Sequence, residues 1–177
     1  MLFDVIGRPN SQYACELFLV IGISLAEKDQ QRGFTLLHTA LYKGADFTTL
    51  TYLAGHVASL LLKRSKDGSF TVHSASVSAE PETFKWLLDN RITPLNVFNG
   101  QQWTPLHLAV TPITSEYDDE DDKMRYVQRL KLLLQYGAKI NLPGSGNQTA
   151  LDRVLSEGDK ALLMLMFLLQ KVLMPIM

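Results

Sequence analysis

One motif recurs along this chain at the spacing of a helical hairpin, and that recurrence limits the fold more than any other feature. Thr35-Leu36-Leu37-His38-Thr39-Ala40, Phe70-Thr71-Val72-His73-Ser74-Ala75, Thr104-Pro105-Leu106-His107-Leu108-Ala109 and Thr149-Ala150-Leu151-Asp152-Arg153-Val154 share one pattern at steps of 35, 34 and 45 residues. A second pattern trails the histidine by fourteen to fifteen residues: Tyr52-Leu53, Leu87-Leu88 and, after an insertion, Leu132-Leu133-Leu134. A period of this length marks a supersecondary unit that cannot bury its apolar face alone. Stacked neighbours must supply the core, so an elongated array is expected rather than a closed globule around a sheet.

Each motif residue has a physical task. Thr104 can cap a helix through its hydroxyl, and Pro105 suits the first helical position, where a missing N–H would be unpaired in any case. Leu106 points into the layer between units, while Ala109, lacking bulk, lets neighbouring helices approach to about 8 to 10 Å. Gly137 stands where a helix ends in a left-handed cap, with Gly44 and Gly158 in the same role after shorter helices. Pro81 begins the second helix of its unit, and Phe84, Leu87 and Leu88 follow along one face at helical intervals.

These patterns resemble the ankyrin repeat, a unit of about 33 residues with a Thr-Pro-Leu-His-x-Ala signature, two helices and a hairpin-like loop. The third unit carries the resemblance most fully, in Trp103 to Ala109 and in Leu132 to Tyr136, Gly137, Ala138, Lys139, Ile140 and Asn141. The resemblance spans about residues 29–173 and implies an all-α ankyrin-repeat solenoid of stacked antiparallel helix pairs with short hairpin-like loops. Its units are an N-terminal helical cap or degenerate repeat at 1–31, repeat 1 at 32–66, repeat 2 at 67–101, repeat 3 at 102–146 with an acidic insertion at 114–123, and a C-terminal repeat or cap at 147–177. Within the first cap, Leu2 to Gly7 and Ser11 to Lys28 are the expected helices. Divergent arrays of this kind also look similar to those of intracellular bacterial effectors and of viral mimics of host regulators.

The histidines pose the question of catalysis. His38, His73 and His107 recur at one repeat position, yet successive repeats stand about 10 Å apart, whereas rings sharing a zinc each sit about 2 Å from it. They are read as hydrogen-bonding struts between a helix start and the neighbouring loop, a role that Asp152 can also fill in the fourth unit. Cys15 with a distant histidine would make a nucleophile pair, but a small buried cysteine on an apolar helix is the expected role. The sequence has no glycine-rich phosphate loop, HExxH pair or GxSxG elbow. No enzyme activity, metal or cofactor is expected.

Three stretches depart from the pattern. After Leu53 the chain continues Gly55-His56-Val57-Ala58-Ser59-Leu60-Leu61-Leu62-Lys63-Arg64. Either one helix runs from Thr48 to Arg64, or a helix stops at Gly55 and an apolar finger turns at Lys66-Asp67-Gly68-Ser69; the Asp-Gly signal favours the finger. In the insertion, six acidic residues between Glu116 and Asp122 repel one another. A solvated, mobile loop is expected there, with a contact for a basic partner or a phosphorylation site at Ser115 as the sharper reading. At the C-terminus, Leu162 to Leu169 is apolar all round, although a terminal repeat ordinarily needs a polar outer face. That stretch must pack on its own tail or meet another protomer, another domain or a partner.

Charge and cysteine usage bound the setting. Seventeen basic against 18 acidic residues leave a net charge of −1, which disfavours nucleic acid and anionic membranes as partners. The single cysteine needs no oxidising compartment, so the cytoplasm is expected, and the host cytoplasm for a secreted effector. Neither Leu17 to Ile23, read as core helix, nor Ala161 to Leu169 approaches the roughly 18 to 20 apolar residues needed to cross a bilayer. The start of the chain lacks the basic flank and cleavage site of a secretory signal.

By the resemblance, hairpin tips and first helices line a concave face that takes a protein partner. The position two residues ahead of each first helix is Phe34, Ser69, Trp103 and Gln148. Further along come Tyr42 and Lys43, Val77 and Ser78, Thr111 and Pro112, and Ser156 and Glu157. With Gln101 these form the expected partner-binding set, and Trp103 is its expected anchor, because hot spots favour tryptophan. The bland reading packs Trp103 under its own hairpin and leaves Gln101 and Gln102 to solvent. A second function is a substrate-recruiting or docking module of a larger enzyme or ligase assembly, with the apolar C-terminus as its contact.

Overall fold

The computed structural model describes residues 2–8, 10–56, 62–90, 94–110 and 120–156. Its α-helices are α1 Leu2–Val5, α2 Ser11–Val20, α3 Leu36–Tyr42, α4 Phe47–His56, α5 Thr71–Ser78, α6 Pro81–Asp89, α7 Pro105–Ala109, α8 Glu120–Gln135 and α9 Ala150–Ser156. Among the described residues no strand forms beyond the single antiparallel bridge between Lys28 and Thr35. The architecture is an all-α repeat fold.

Two compact units divide the chain, residues 1–94 and 95–177. In the first, α1 packs with α2, α3 with α4 and α5 with α6, while α3 also packs on α5 and α2 on α4. First helices thus meet first helices and second meet second, as stacking requires. Leu36, Leu37 and Leu41 of α3, Leu50 and Leu53 of α4, Val72 and Ala75 of α5, and Phe84, Leu87 and Leu88 of α6 are buried together with Ile6, Cys15 and Phe18. Full burial of each leucine or phenylalanine contributes about 1.5 to 3 kcal/mol. In the second unit α7 packs with both α8 and α9, burying Leu106, Ala109, Leu130, Leu133, Ala150 and Val154.

Helix boundaries follow local chemistry. Pro81 and Pro105 open α6 and α7. At the ends of α2, α3 and α8, Gly22, Gly44 and Gly137 take positive φ, and the next residue's N–H reaches back to a carbonyl five residues earlier: Ile23 to Phe18, Ala45 to Ala40 and Ala138 to Leu133, at 2.8, 2.9 and 2.9 Å. Gly158 lies outside the described residues.

Three expectations change. The helix expected from Ser11 to Lys28 ends at Val20, because Gly22 closes it. The run Leu17 to Ile23 is not core as a whole: Phe18 is buried, but Leu17, Val20 and Ile21 are 58%, 83% and 58% exposed. Among the described residues helix α2 packs on α1 and α4, which leave Leu17, Val20 and Ile21 uncovered. In the insertion, Glu120 to Lys123 belong to α8 rather than to a loop.

Residues 111–119, with Ser115, lie outside the described residues, as does the whole apolar stretch 157–177. Helix α4 continues through Gly55 to His56, and 57–61 also lie outside. The turn beyond them sits at Ser65 to Ser69, where Gly68 has φ +75° and the Ser65 N–H donates to Ser69 O at 2.9 Å. No helix among the described residues is long and apolar enough to cross a membrane.

Candidate partner-binding surface

Each first helix is preceded by a finger-like loop closed on itself. In the first, Asp29 N–H donates to Phe34 O at 2.8 Å, and the Asp29 carboxylate accepts the N–H groups of Gln31, Arg32 and Phe34. In the third, Asn99 N–H donates to Trp103 O at 2.9 Å, and its side-chain oxygen accepts from Gln101 and Trp103. In the fourth, Gly144 N–H donates to Gln148 O at 2.7 Å. Within each unit consecutive fingers are laddered, Lys66 N–H to Arg32 O at 2.9 Å and Ser145 N–H to Gln102 O at 3.1 Å. Gly144 is needed for that approach, because a Cβ there would lie 2.7 Å from Gln102 O and 2.8 Å from the Trp103 ring.

The recurring histidine joins helix to finger. Thr35 Oγ1 accepts from His38 N–H, while His38 Nδ1 accepts from Thr35 N–H and lies 2.8 Å from Thr35 Oγ1. With Nδ1 an acceptor, the ring proton sits on Nε2, which donates to Ser69 O of the next finger at 3.2 Å. Thr104 and His107 repeat this box, and His107 Nε2 donates to Gln148 O at 3.0 Å. Phe70 offers no hydroxyl, and in the second unit Phe70 N–H donates to His73 Nδ1 at 3.1 Å. Asp152 closes the fourth box, its carboxylate accepting from the Thr149 N–H and hydroxyl at 2.8 and 2.7 Å.

Burial moves the titrations accordingly. Desolvation holds His38 down at about 4, and it lowers His107 as well, against the raising effect of their carbonyl partners. Burial, helped by the charges of Glu16 and Asp46, pushes the Cys15 thiol up to about 11, so it is a neutral thiol near pH 7. Among the described residues no group of three or more His, Cys, Asp or Glu is placed to hold a metal ion.

The expected partner-binding residues fall into three groups. Tyr42, Lys43, Gln101, Gln148 and Ser156 are exposed, and Phe34, Val77 and Trp103 are half-buried. Ser69 is buried, its carbonyl engaged by His38 and by the Ser65 hydroxyl, which leaves its side chain little to offer a partner. Thr111, Pro112 and Glu157 lie outside the described residues. Phe34 stacks on His38 with centroids 5.4 Å apart and meets Tyr42 edge-on at 6.2 Å. Trp103 lies 5.2 Å from the His107 ring.

Two cations complete these clusters. The Arg32 guanidinium stands 5.6 Å from the Phe34 centroid and 5.2 Å from that of Tyr42, and Arg153 stands 4.4 Å from the Trp103 centroid. Sequence reasoning missed both arginines. Neither occupies a recurring motif position, and only the fold carries Arg153 of α9 back to the finger that precedes α7.

A family model for ankyrin repeats in many copies matches residues 72–111, and a model for the single ankyrin repeat matches residues 101–145. No curated protein matches the chain. Given the repeating helix pairs, the Thr–His boxes tied to the following finger and these two matches, the chain is an ankyrin-repeat protein.

Proposed function

We propose that this protein is a non-catalytic scaffold that binds a protein partner through its finger loops and the exposed flanks of its first helices. Ankyrin repeats generally mediate protein–protein interaction. One observation supports the surface chosen: the half-buried aromatics Phe34 and Trp103 each lie against a buried histidine ring and carry an arginine over their own ring. Aromatic and arginine side chains held rigidly at a surface lose little entropy on binding and dominate interface energetics. Tyr42, 49% exposed, Lys43 and Val77 extend the proposed surface in the first unit, and Gln101, Gln148 and Ser156 extend it in the second. A cytoplasmic site suits a lone cysteine whose thiol is buried and protonated.

Tyr42→Ala and Gln101→Ala test the role, since both side chains are exposed. In affinity purification with cross-linking, wild-type protein should recover a partner that these variants lose while their thermal unfolding stays unchanged. A partner retained equally by both would exclude this face.

A further inference from the structure

The tips of the first two fingers carry a cationic surface. Residues 27–34 and 63–67 hold five cations and three carboxylates, a local excess of two positive charges in a chain of net −1, so the remainder carries −3. Two of the three carboxylates turn into their own loops. Asp29 accepts the N–H groups of Gln31, Arg32 and Phe34 at 2.9, 2.7 and 2.6 Å. Asp67 accepts the Ser69 N–H and hydroxyl at 3.2 and 2.9 Å and the Ser65 hydroxyl.

The cations are disposed the other way. Lys28, Arg32, Arg64 and Lys66 are exposed, and among the described residues none of them lies within ion-pair distance of a carboxylate. The ladder between the fingers holds them side by side: Lys66 N–H and Nζ donate to Arg32 O and Gln30 O, and Lys28 Nζ donates to Arg64 O at 2.6 Å. An ammonium has three donors, so each lysine keeps two for a ligand. Arg32 is held over Phe34 and Tyr42, which orders its guanidinium before any partner arrives.

On the basis of the partner-binding role proposed above, we propose that this surface takes an acidic segment of a protein partner. The partner's carboxylates would lie against Lys28, Arg32, Arg64 and Lys66, with an apolar side chain beside Tyr42. A short acidic segment meets the cationic tips alone. A long polyanion such as nucleic acid would also meet the net negative remainder of the chain.

Fluorescence anisotropy with a fluorescein-labelled peptide of Glu and Asp around a central Leu-Phe pair tests this, beside the matching Lys peptide and an oligothymidylate. The acidic peptide should bind, its affinity should fall steadily between about 50 and 500 mM salt, and Arg32→Glu with Lys66→Glu should weaken it at least roughly tenfold. Circular dichroism reports folding of that variant; if it melts early, Lys28→Gln with Arg64→Gln serves, with an expected loss of a few-fold. Absence of binding at low salt, affinity indifferent to both variants, or equal binding of the Lys peptide would overturn the inference. So would tighter binding of the oligothymidylate, or a concentration-dependent dimer dissolved by the charge reversal, which would make a second copy the occupant. A captured partner lost with Tyr42→Ala but retained with Arg32→Glu/Lys66→Glu would overturn the acidic segment alone. A captured partner indifferent to Tyr42→Ala and Gln101→Ala would overturn the binding role beneath it.

Discussion

Buried imidazoles tie helix starts to the fingers that follow them, and the strength of this tie can be measured. His38 is fully buried with both ring nitrogens engaged, so His38→Ala removes the imidazole bonds to Thr35 and to Ser69 O and leaves a cavity in their place. We expect a loss of about 2 to 4 kcal/mol in urea unfolding. The same residue makes stability depend on pH. Its folded value of about 4 lies below the ordinary 6.5, so between those values the unfolded chain binds a proton that the folded chain refuses. Stability is therefore complete above about 6.5 and falls as pH drops towards 4, by an amount on the order of 3 kcal/mol for a shift of this size. Urea midpoints measured across that window should fall in the wild type and fall less in His38→Ala. Gly144 is the other sensitive position, because any Cβ would press on Gln102 O and the Trp103 ring. Gly144→Ala should cost about 1 to 3 kcal/mol, read from thermal unfolding.

Among the elements, α2 shows how an apolar run divides into a packed and an unpacked face. Phe18 is 7% exposed and shares its side of the helix with Ser11 and Cys15, whereas Val20 is 83% exposed. Phe18→Ala should cost about 3 kcal/mol or more, while Val20→Lys should change stability by less than about 0.5 kcal/mol; chemical denaturation of both variants checks the contrast. Hydropathy alone did not separate these faces. It records that residues are apolar and not whether a neighbour exists to cover them, and among the described residues the neighbours of α2 are α1 and α4. Charge misleads in the opposite direction at α8, where Glu120, Asp121 and Asp122 read as a repelling loop yet form a helical first turn.

For the molecule as a whole, repeat architecture makes stability a sum of local terms and neighbour contacts. His38 and His107 belong to different units, His38 bonding Thr35 and Ser69 and His107 bonding Thr104 and Gln148. Their alanine substitutions should therefore add to within about 0.5 kcal/mol in a double variant measured by urea unfolding, and marked non-additivity would contradict the array picture. Much of that picture was legible from residues 35 to 154 by themselves. A recurring period, a Thr or Pro at each helix start and left-handed glycines at helix ends are local properties, written wherever a backbone N–H or carbonyl must find a partner within a few residues. Helix type and the buried positions of α6 follow from those properties alone. The composition of the surface does not. Arg153 over Trp103, the burial of Ser69 and the gathering of Lys28, Arg32, Arg64 and Lys66 depend on which finger lies against which. That pairing comes from packing between residues 30 to 50 positions apart, and no local signal in the chain records it.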